Sequence, residues 1–94
     1  MIKAYWNENL VFDQHSGGLK CGVITQDATK LITGGFNSII RVWDLNQNKQ
    51  KFTLHGHDSE VRCLVLTNDS KFLLSGSFDA TVRVWDLNQK KQIG

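Results

Sequence analysis

The second half of the chain contains the residue types of two kinds of chemical site. His57, Ser75 and Asp79 are the three types used by serine hydrolases, in which a histidine takes the proton of a serine that attacks a carbonyl. No Gly-x-Ser-x-Gly turn surrounds Ser75 and no oxyanion hole is evident, so we do not expect hydrolysis. His55 and His57, followed by Asp58, would place both imidazole rings on one face of a strand, as metal ligands require. This spacing is a weak motif on its own, and we expect no metal site and no cofactor.

The composition is that of an ordinary globular protein. The 94 residues carry a net charge of +2, and their lysines and arginines are scattered among acidic residues, so we do not expect a nucleic-acid partner. No stretch has the length of a membrane span, and the first residues lack the apolar core of a signal peptide. We therefore expect a cytoplasmic or nuclear protein without a membrane partner. Cys21 and Cys63 lie in apolar stretches, and we interpret both as small buried hydrophobic residues.

A long internal repeat organises the chain. The segment Trp43-Asp44-Leu45-Asn46-Gln47 returns 42 residues later as Trp85-Asp86-Leu87-Asn88-Gln89. When residues 15–50 are aligned with residues 57–92, 17 of the 36 positions are identical. A fixed period of this size indicates one supersecondary unit copied in tandem, each copy burying its apolar face against the next. We therefore expect the function to depend on a surface of stacked units.

The periodicity within each copy predicts strands. In the second copy, alternating residues 61–66 and the apolar runs 72–74 and 82–85 are separated by turn residues, and residues 50–55 give a further strand between the copies. The turns are short enough for antiparallel hairpins, and no segment has a helical apolar stripe. Because alanine tolerates a positive φ poorly, we expect Ala28 to give the first hairpin turn a shape other than that of a turn with glycine at this position.

The ordered residues of each copy resemble the repeat of the WD-repeat β-propeller family. In the second copy they are Gly56-His57, Val61 to Thr67, Asp69, Leu74-Ser75-Gly76-Ser77, Asp79, Thr81 and Val82 to Leu87. This set covers nearly the whole chain, and the family has four strands to a blade and repeats of roughly 40 to 45 residues. The resemblance implies an all-β partial propeller of two four-stranded antiparallel blades, over residues 15–55 and 56–94. The second blade would lack most of its outer strand, and residues 1–14 would form part of a preceding blade.

The resemblance also implies a structural role for the Ser–His–Asp trio. In the family, Trp85 would donate to Ser75, Ser75 to His57, and His57 to Asp79, so that the trio ties strands together. The corresponding residues of the first copy are His15, Thr33, Asn37 and Trp43. An amide at position 37 removes the charge assistance from its hydrogen bond, so we expect the first blade to be the looser of the two.

Two blades cannot close a propeller, because radial closure takes roughly four to eight. We expect the chain to be part of a longer propeller. The alternative is that copies associate head to tail through open blade edges, with residues 10–12 supplying an outer strand to a neighbour, in a ring of six or eight blades.

Equivalent loop residues of the two copies indicate a binding surface. The resemblance places Phe36 and Phe78 in a turn that the family tends to expose to partners, and Lys20 and Arg62 are equivalent in the same way. Aromatic and basic groups together would suit a peptide with apolar and acidic anchors. The alternative is that both phenylalanines belong to the core. We therefore expect a non-catalytic scaffold for protein or peptide partners.

Overall fold

Each copy of the repeat forms one four-stranded antiparallel sheet. The computed structural model describes residues 19–35 and 37–94, so the predicted blade over residues 1–14 lies outside the described residues. The first sheet has the order β1 (Leu19–Ile24), β2 (Lys30–Gly35), β3 (Ile40–Asp44) and β4 (Lys49–Leu54). The second has the order β5 (Val61–Leu66), β6 (Phe72–Ser77), β7 (Val82–Asp86) and β8 (Lys91–Gln92). The predicted all-β fold of four-stranded blades is confirmed.

The two sheets lie within the ranges predicted for the two blades, and their registers repeat. A β-bulge occurs at the start of β1, between Leu19 and Cys21, and again at the start of β5, between Val61 and Cys63. The outer strand β8 has two residues and pairs with β7 at Trp85 and Asp86. The described part of the chain contains no helix long and apolar enough to cross a bilayer.

The first hairpin turn adopts the left-handed conformation in spite of its alanine. The amide of Ala28 donates to the carbonyl of Thr25 at 2.9 Å, and the φ of Ala28 is 61°. The Asp27 carboxylate holds the turn, since it accepts hydrogen bonds from the Thr25 hydroxyl and from the Thr29 amide and hydroxyl. These bonds, with the Thr29 hydroxyl foremost, lower the pKa of Asp27 to about 2. The prediction of an altered turn was therefore wrong.

The hydrophobic core lies between the two sheets. It consists of Ile32, Ile40, Val42 and Leu54 from the first sheet and Val61, Leu64, Leu73 and Trp85 from the second. The sheets are in close contact at Gly34, where an added Cβ would lie 2.7 Å from Cγ1 of Val61. A side chain at position 34 would therefore push β5 away from β2.

The two cysteines have different environments although they hold equivalent positions. Cys21 is half-buried, and its thiol donates to the Val61 carbonyl at 3.6 Å. Burial raises the pKa of the Cys21 thiol. Cys63, however, is exposed, so the prediction that both cysteines are buried was wrong for this one. The second sheet covers Cys21, whereas no sheet in the described part of the chain covers Cys63.

Candidate functional site

A chain of hydrogen bonds crosses the second sheet from its centre to its edge loops. Trp85 on β7 donates from Nε1 to Oγ of Ser75 on β6 at 2.7 Å. Ser75 Oγ lies 2.6 Å from Nε2 of His57, which precedes β5, and His57 Nδ1 lies 2.9 Å from Oδ2 of Asp79 in the β6–β7 turn. If His57 carries its proton on Nδ1, every bond in the series has one donor and one acceptor. The structure therefore brings together all four residues predicted for the second copy.

The network pairs polar groups where water is excluded. Ser75 has no exposed surface and His57 is 6% exposed, so unpaired polar atoms there would cost free energy. The Asp79 carboxylate accepts hydrogen bonds from the Thr81 hydroxyl and amide and from the Asp58 amide as well. These bonds, with the Thr81 hydroxyl foremost, hold the pKa of Asp79 well below its usual range. An ionised carboxylate thus orients the imidazole.

The Ser–His–Asp order matches that of hydrolases, but the surroundings of the serine do not. Ser75 Oγ is fully buried and already accepts the indole N–H of Trp85, so a substrate carbonyl has no route to it. Catalysis by such a trio requires the serine oxygen to reach the carbonyl. The geometry is that of a packing network.

The histidines near β5 do not form a metal site. Both ring nitrogens of His57 are engaged in the network, and Nε2 of His55 lies 2.8 Å from the Thr53 hydroxyl. Within residues 19–35 and 37–94, no three His, Cys, Asp or Glu side chains are grouped so that they could hold a metal ion.

The first copy reproduces part of the network. Trp43 donates from Nε1 to the Thr33 hydroxyl at 2.8 Å, as Trp85 does to Ser75. Asn37 accepts a longer hydrogen bond, 3.3 Å, from the amide of Ile39. His15 lies outside the described residues, so the structure brings together Thr33 and Trp43 of the predicted set.

A pair of arginines next to the networks was missed by the sequence reasoning. In the second copy, Nε of Arg83 donates to the Thr81 hydroxyl at 3.2 Å, and Nη2 lies 3.9 Å from Asp79. In the first copy, Nε of Arg41 is buried and has no acceptor among the described residues. Ile39 stands where the second copy has Thr81, and this substitution beside a repeated arginine was the available signal.

Arg62 and Phe78 form a stacked pair on the surface at the end of the second sheet. The ring of Phe78 is 61% exposed, and the Arg62 guanidinium carbon lies 4.1 Å above its centroid. Glu60 fixes this pair, because its carboxylate lies 3.5 Å from Nε of Arg62 and its carbonyl accepts the Phe78 amide. Lys20, the equivalent of Arg62, is also exposed, while Phe36 lies outside the described residues. We name Glu60, Arg62 and Phe78 the Arg62–Phe78 surface.

A cleft of about 220 Å³ lies between the sheets at the opposite end, near the first hairpin of each copy. Its charged lining includes Asp27, Lys30, Asp69 and Lys71. Asp69 accepts the Thr67 hydroxyl and the Lys71 amide, so it serves its own turn in the same way as Asp27. Hydrogen bonds within the two turns therefore explain the positions of both carboxylates, and no bound ligand is needed to explain them.

The similarity to known proteins agrees with this geometry. A family model described as WD domain, G-beta repeat matches the chain over residues 6–44 and 48–86. The pre-mRNA-splicing factor PRP46 of Eremothecium gossypii is 40% identical over 55 residues, which are 57% of this chain and 13% of that relative. The matched residues end in each copy at the Trp–Asp pair of the third strand. The chain belongs to the WD40 repeat family.

Proposed function

We propose that the chain is a non-catalytic scaffold that binds a protein or peptide partner at the Arg62–Phe78 surface. The exposed Phe78, with 61% of its surface accessible and stacked against the Arg62 guanidinium, carries this proposal, because protein interfaces are enriched in aromatic residues and arginine. Arginine and aromatic residues also contribute most to the binding energy of protein interfaces. The burial of Ser75 supports the non-catalytic part.

The exposure of Lys20 indicates that this surface stays accessible when one sheet packs against the next. Lys20 holds the position of Arg62 in the first sheet and is exposed although the second sheet covers that sheet. Ile40, in contrast, is fully buried by the same stacking. The position of Lys20 and Arg62 therefore lies beyond the stacked area, so a further sheet would leave Arg62 free to bind.

The chemistry of the surface fits a segment with an acidic group beside an apolar one. The guanidinium presents its remaining N–H donors next to the Phe78 ring, which suits a carboxylate and an apolar side chain together. Glu60 and the stacking hold the arginine in place, so less side-chain entropy is lost on binding. Lys20 and Phe36 would extend the same surface on the first blade.

Alanine substitutions test the surface. Arg62→Ala and Phe78→Ala should each reduce the partner retained by the immobilised protein, with an unchanged melting temperature, because neither side chain is in the core. Lys71→Ala, at the opposite end of the sheet, is the matched control and should retain the partner. A sharp fall in melting temperature, or full retention by both variants, would contradict the proposal.

We also propose that the scaffold is part of a longer propeller, and we place it in the nucleus. PRP46 supports both points, since this chain spans 13% of that relative and the relative is a pre-mRNA-splicing factor.

A second candidate is a ring of identical chains, which the exposed apolar side chains of the second sheet favour, such as Val82 at 66%. Light scattering after size exclusion separates the two, because a monodisperse trimer or tetramer would replace the first proposal with the second.

A further inference from the structure

The cleft between the two sheets, at the end opposite to the Arg62–Phe78 surface, has an apolar lining. This lining consists of Val42 on β3, Phe52 on β4 and Leu87, which follows β7. Val42 is 1% exposed and belongs to the core, and Phe52 and Leu87 pack against that core. Because both sheets contribute, the apolar lining exists only when the sheets are packed together.

The polar lining of the cleft contains groups that the protein leaves without partners. Ser70 Oγ accepts the Gln26 amide at 3.0 Å, but its own proton has no acceptor within residues 19–35 and 37–94. The side-chain amide of Asn88 forms no hydrogen bond within the same two ranges. The Thr25 hydroxyl, in contrast, already donates to Asp27. A ligand in the cleft would therefore meet the Ser70 hydroxyl and the Asn88 amide as donors.

The charged groups at the cleft have an excess of one positive charge. In the described part of the chain, the ammonium groups of Lys30 and Lys71 take part in no ion pair. Nζ of Lys90 lies 5.1 Å from the centroid of the aromatic ring in the apolar lining. Asp27 and Asp69 each accept a hydroxyl and an amide of their own turn at Oδ1. Three ammonium groups beside two carboxylates suit a ligand with a single negative charge.

Lys30 differs from the other two lysines in its burial. It is half-buried at the start of β2, whereas Lys71 and Lys90 are exposed. Water and salt screen the interaction of a half-buried charge less than that of an exposed one. Lys30 is therefore the lysine whose pairing with a ligand in the cleft would be strongest.

The volume of the cleft limits the size of its ligand. A dry cavity of about 150 Å³ accommodates benzene, so the 220 Å³ of this cleft has room for roughly nine non-hydrogen atoms. We propose that the cleft binds a small monocarboxylate with an aromatic or branched aliphatic group, about as large as benzoate. The apolar group packs against Val42, Phe52 and Leu87. The carboxylate accepts hydrogen bonds from the Lys30 ammonium and the Ser70 hydroxyl.

Other classes of small ligand fit the cleft less well. A phosphate ester or a dicarboxylate carries a second negative charge, which the excess of one positive charge does not balance and which Asp27 and Asp69 would repel. An amine would meet three ammonium groups, and Oδ1 of both carboxylates is already occupied within the turns. The single charge and the apolar group together define the ligand class.

A titration of the ¹⁵N-labelled full chain with benzoate tests the proposal by nuclear magnetic resonance. The amide signals of Lys30, Ser70 and Asn88 should shift along one saturable curve in the millimolar range, as befits so small a ligand, while that of Phe78 should stay in place. Benzamide lacks the charge and acetate lacks the apolar group. Both should therefore bind at least about tenfold more weakly than benzoate.

A matched pair of lysine variants locates the charge that matters. Lys30→Met keeps the apolar stem and removes the ammonium, so it should weaken benzoate binding about tenfold. Lys51→Met changes the net charge equally at an exposed position of β4 outside the cleft, and it should bind benzoate as the unsubstituted protein does. An unchanged melting temperature for both variants shows that the fold is retained.

Three outcomes would overturn the proposal. The first is the absence of shifts at the cleft residues when benzoate is raised well above the millimolar range. The second is equal binding of benzamide and benzoate, which would remove the role of the charge. The third is equal weakening by Lys30→Met and Lys51→Met, which would reduce the effect to net charge. The comparison of the three ligands needs no variant, so it decides the question even where Lys30→Met does not fold. Partner retention at the Arg62–Phe78 surface is a separate measurement that none of these outcomes affects.

Discussion

The close approach of the two sheets makes one methyl group a sensitive test of the interface. In Gly34→Ala, the new Cβ would lie 2.7 Å from Val61 Cγ1 and 3.2 Å from the Cys21 sulfur, so β5 or β2 must move. Overpacking of this kind costs about 1–3 kcal/mol. Replacing a strand glycine by alanine returns about 0.5–1 kcal/mol through the unfolded state. The net loss of stability is therefore between about 0 and about 2.5 kcal/mol, with a central value of about 1 kcal/mol.

Gly76→Ala is the matched comparison in the second sheet. Its Cβ would meet only the sulfur of the exposed Cys63, which can rotate toward solvent, so overpacking should be small and stability should be unchanged or should rise by up to about 1 kcal/mol. Urea unfolding followed by tryptophan fluorescence measures both, and the melting temperature should fall by about 4–8 °C for each kcal/mol lost. Gly22→Ala, with no atom nearer than 3.5 Å to the added carbon, should be tolerated. Equal destabilisation by Gly34→Ala and Gly76→Ala would refute the reasoning, because it would place the cost within each sheet.

Three further predictions concern single side chains. Because the pKa of Asp79 is lowered in the folded state, the stability that its ionised form contributes is present above about pH 4 and is lost as the pH falls. Between about pH 5 and about pH 3, the Asp79→Asn variant should therefore lose less free energy of unfolding than the unsubstituted protein. Urea midpoints across this range measure it, and identical slopes would contradict it. Ile39→Thr should exceed Ile39→Val in stability by about 1 kcal/mol, because the hydroxyl supplies an acceptor to Nε of Arg41; equal urea midpoints would show that the atom gains no bond. The left-handed conformation of Ala28 costs about 1 kcal/mol, so Ala28→Gly should remove this cost and raise the melting temperature. Thr29→Gly should lower the melting temperature, because it removes the hydroxyl that donates to Asp27.

The strands could be predicted because they depend on local residue types that the repeat presents twice, whereas the network was predicted from the resemblance to the family. Alternation and turn residues indicated each strand to within a few positions, and the Trp, Ser, His and Asp types require partners wherever they are buried. The bonds among Trp85, Ser75, His57 and Asp79 are those that the resemblance to the WD-repeat family implied, and they form once the strands pair in register.

What could not be predicted depends on neighbours that the repeat does not determine. Cys21 and Cys63 hold equivalent positions in the repeat, but Cys21 faces a sheet and Cys63 faces none in the described part of the chain. The φ of Ala28 follows from the bonds that Asp27 collects, which override the preference of alanine. The Nε of Arg41 has no acceptor among the residues that the structure describes, because Ile39 stands where the second copy has the hydroxyl of Thr81.

The contact between Gly34 and Val61 also affects the geometry of an array of several such sheets. The separation of adjacent sheets at a point of close contact such as this one is one of the distances that determine the wedge angle between them. That angle determines how many sheets complete a full turn. A residue without a side chain at position 34 therefore helps to set the curvature of the array.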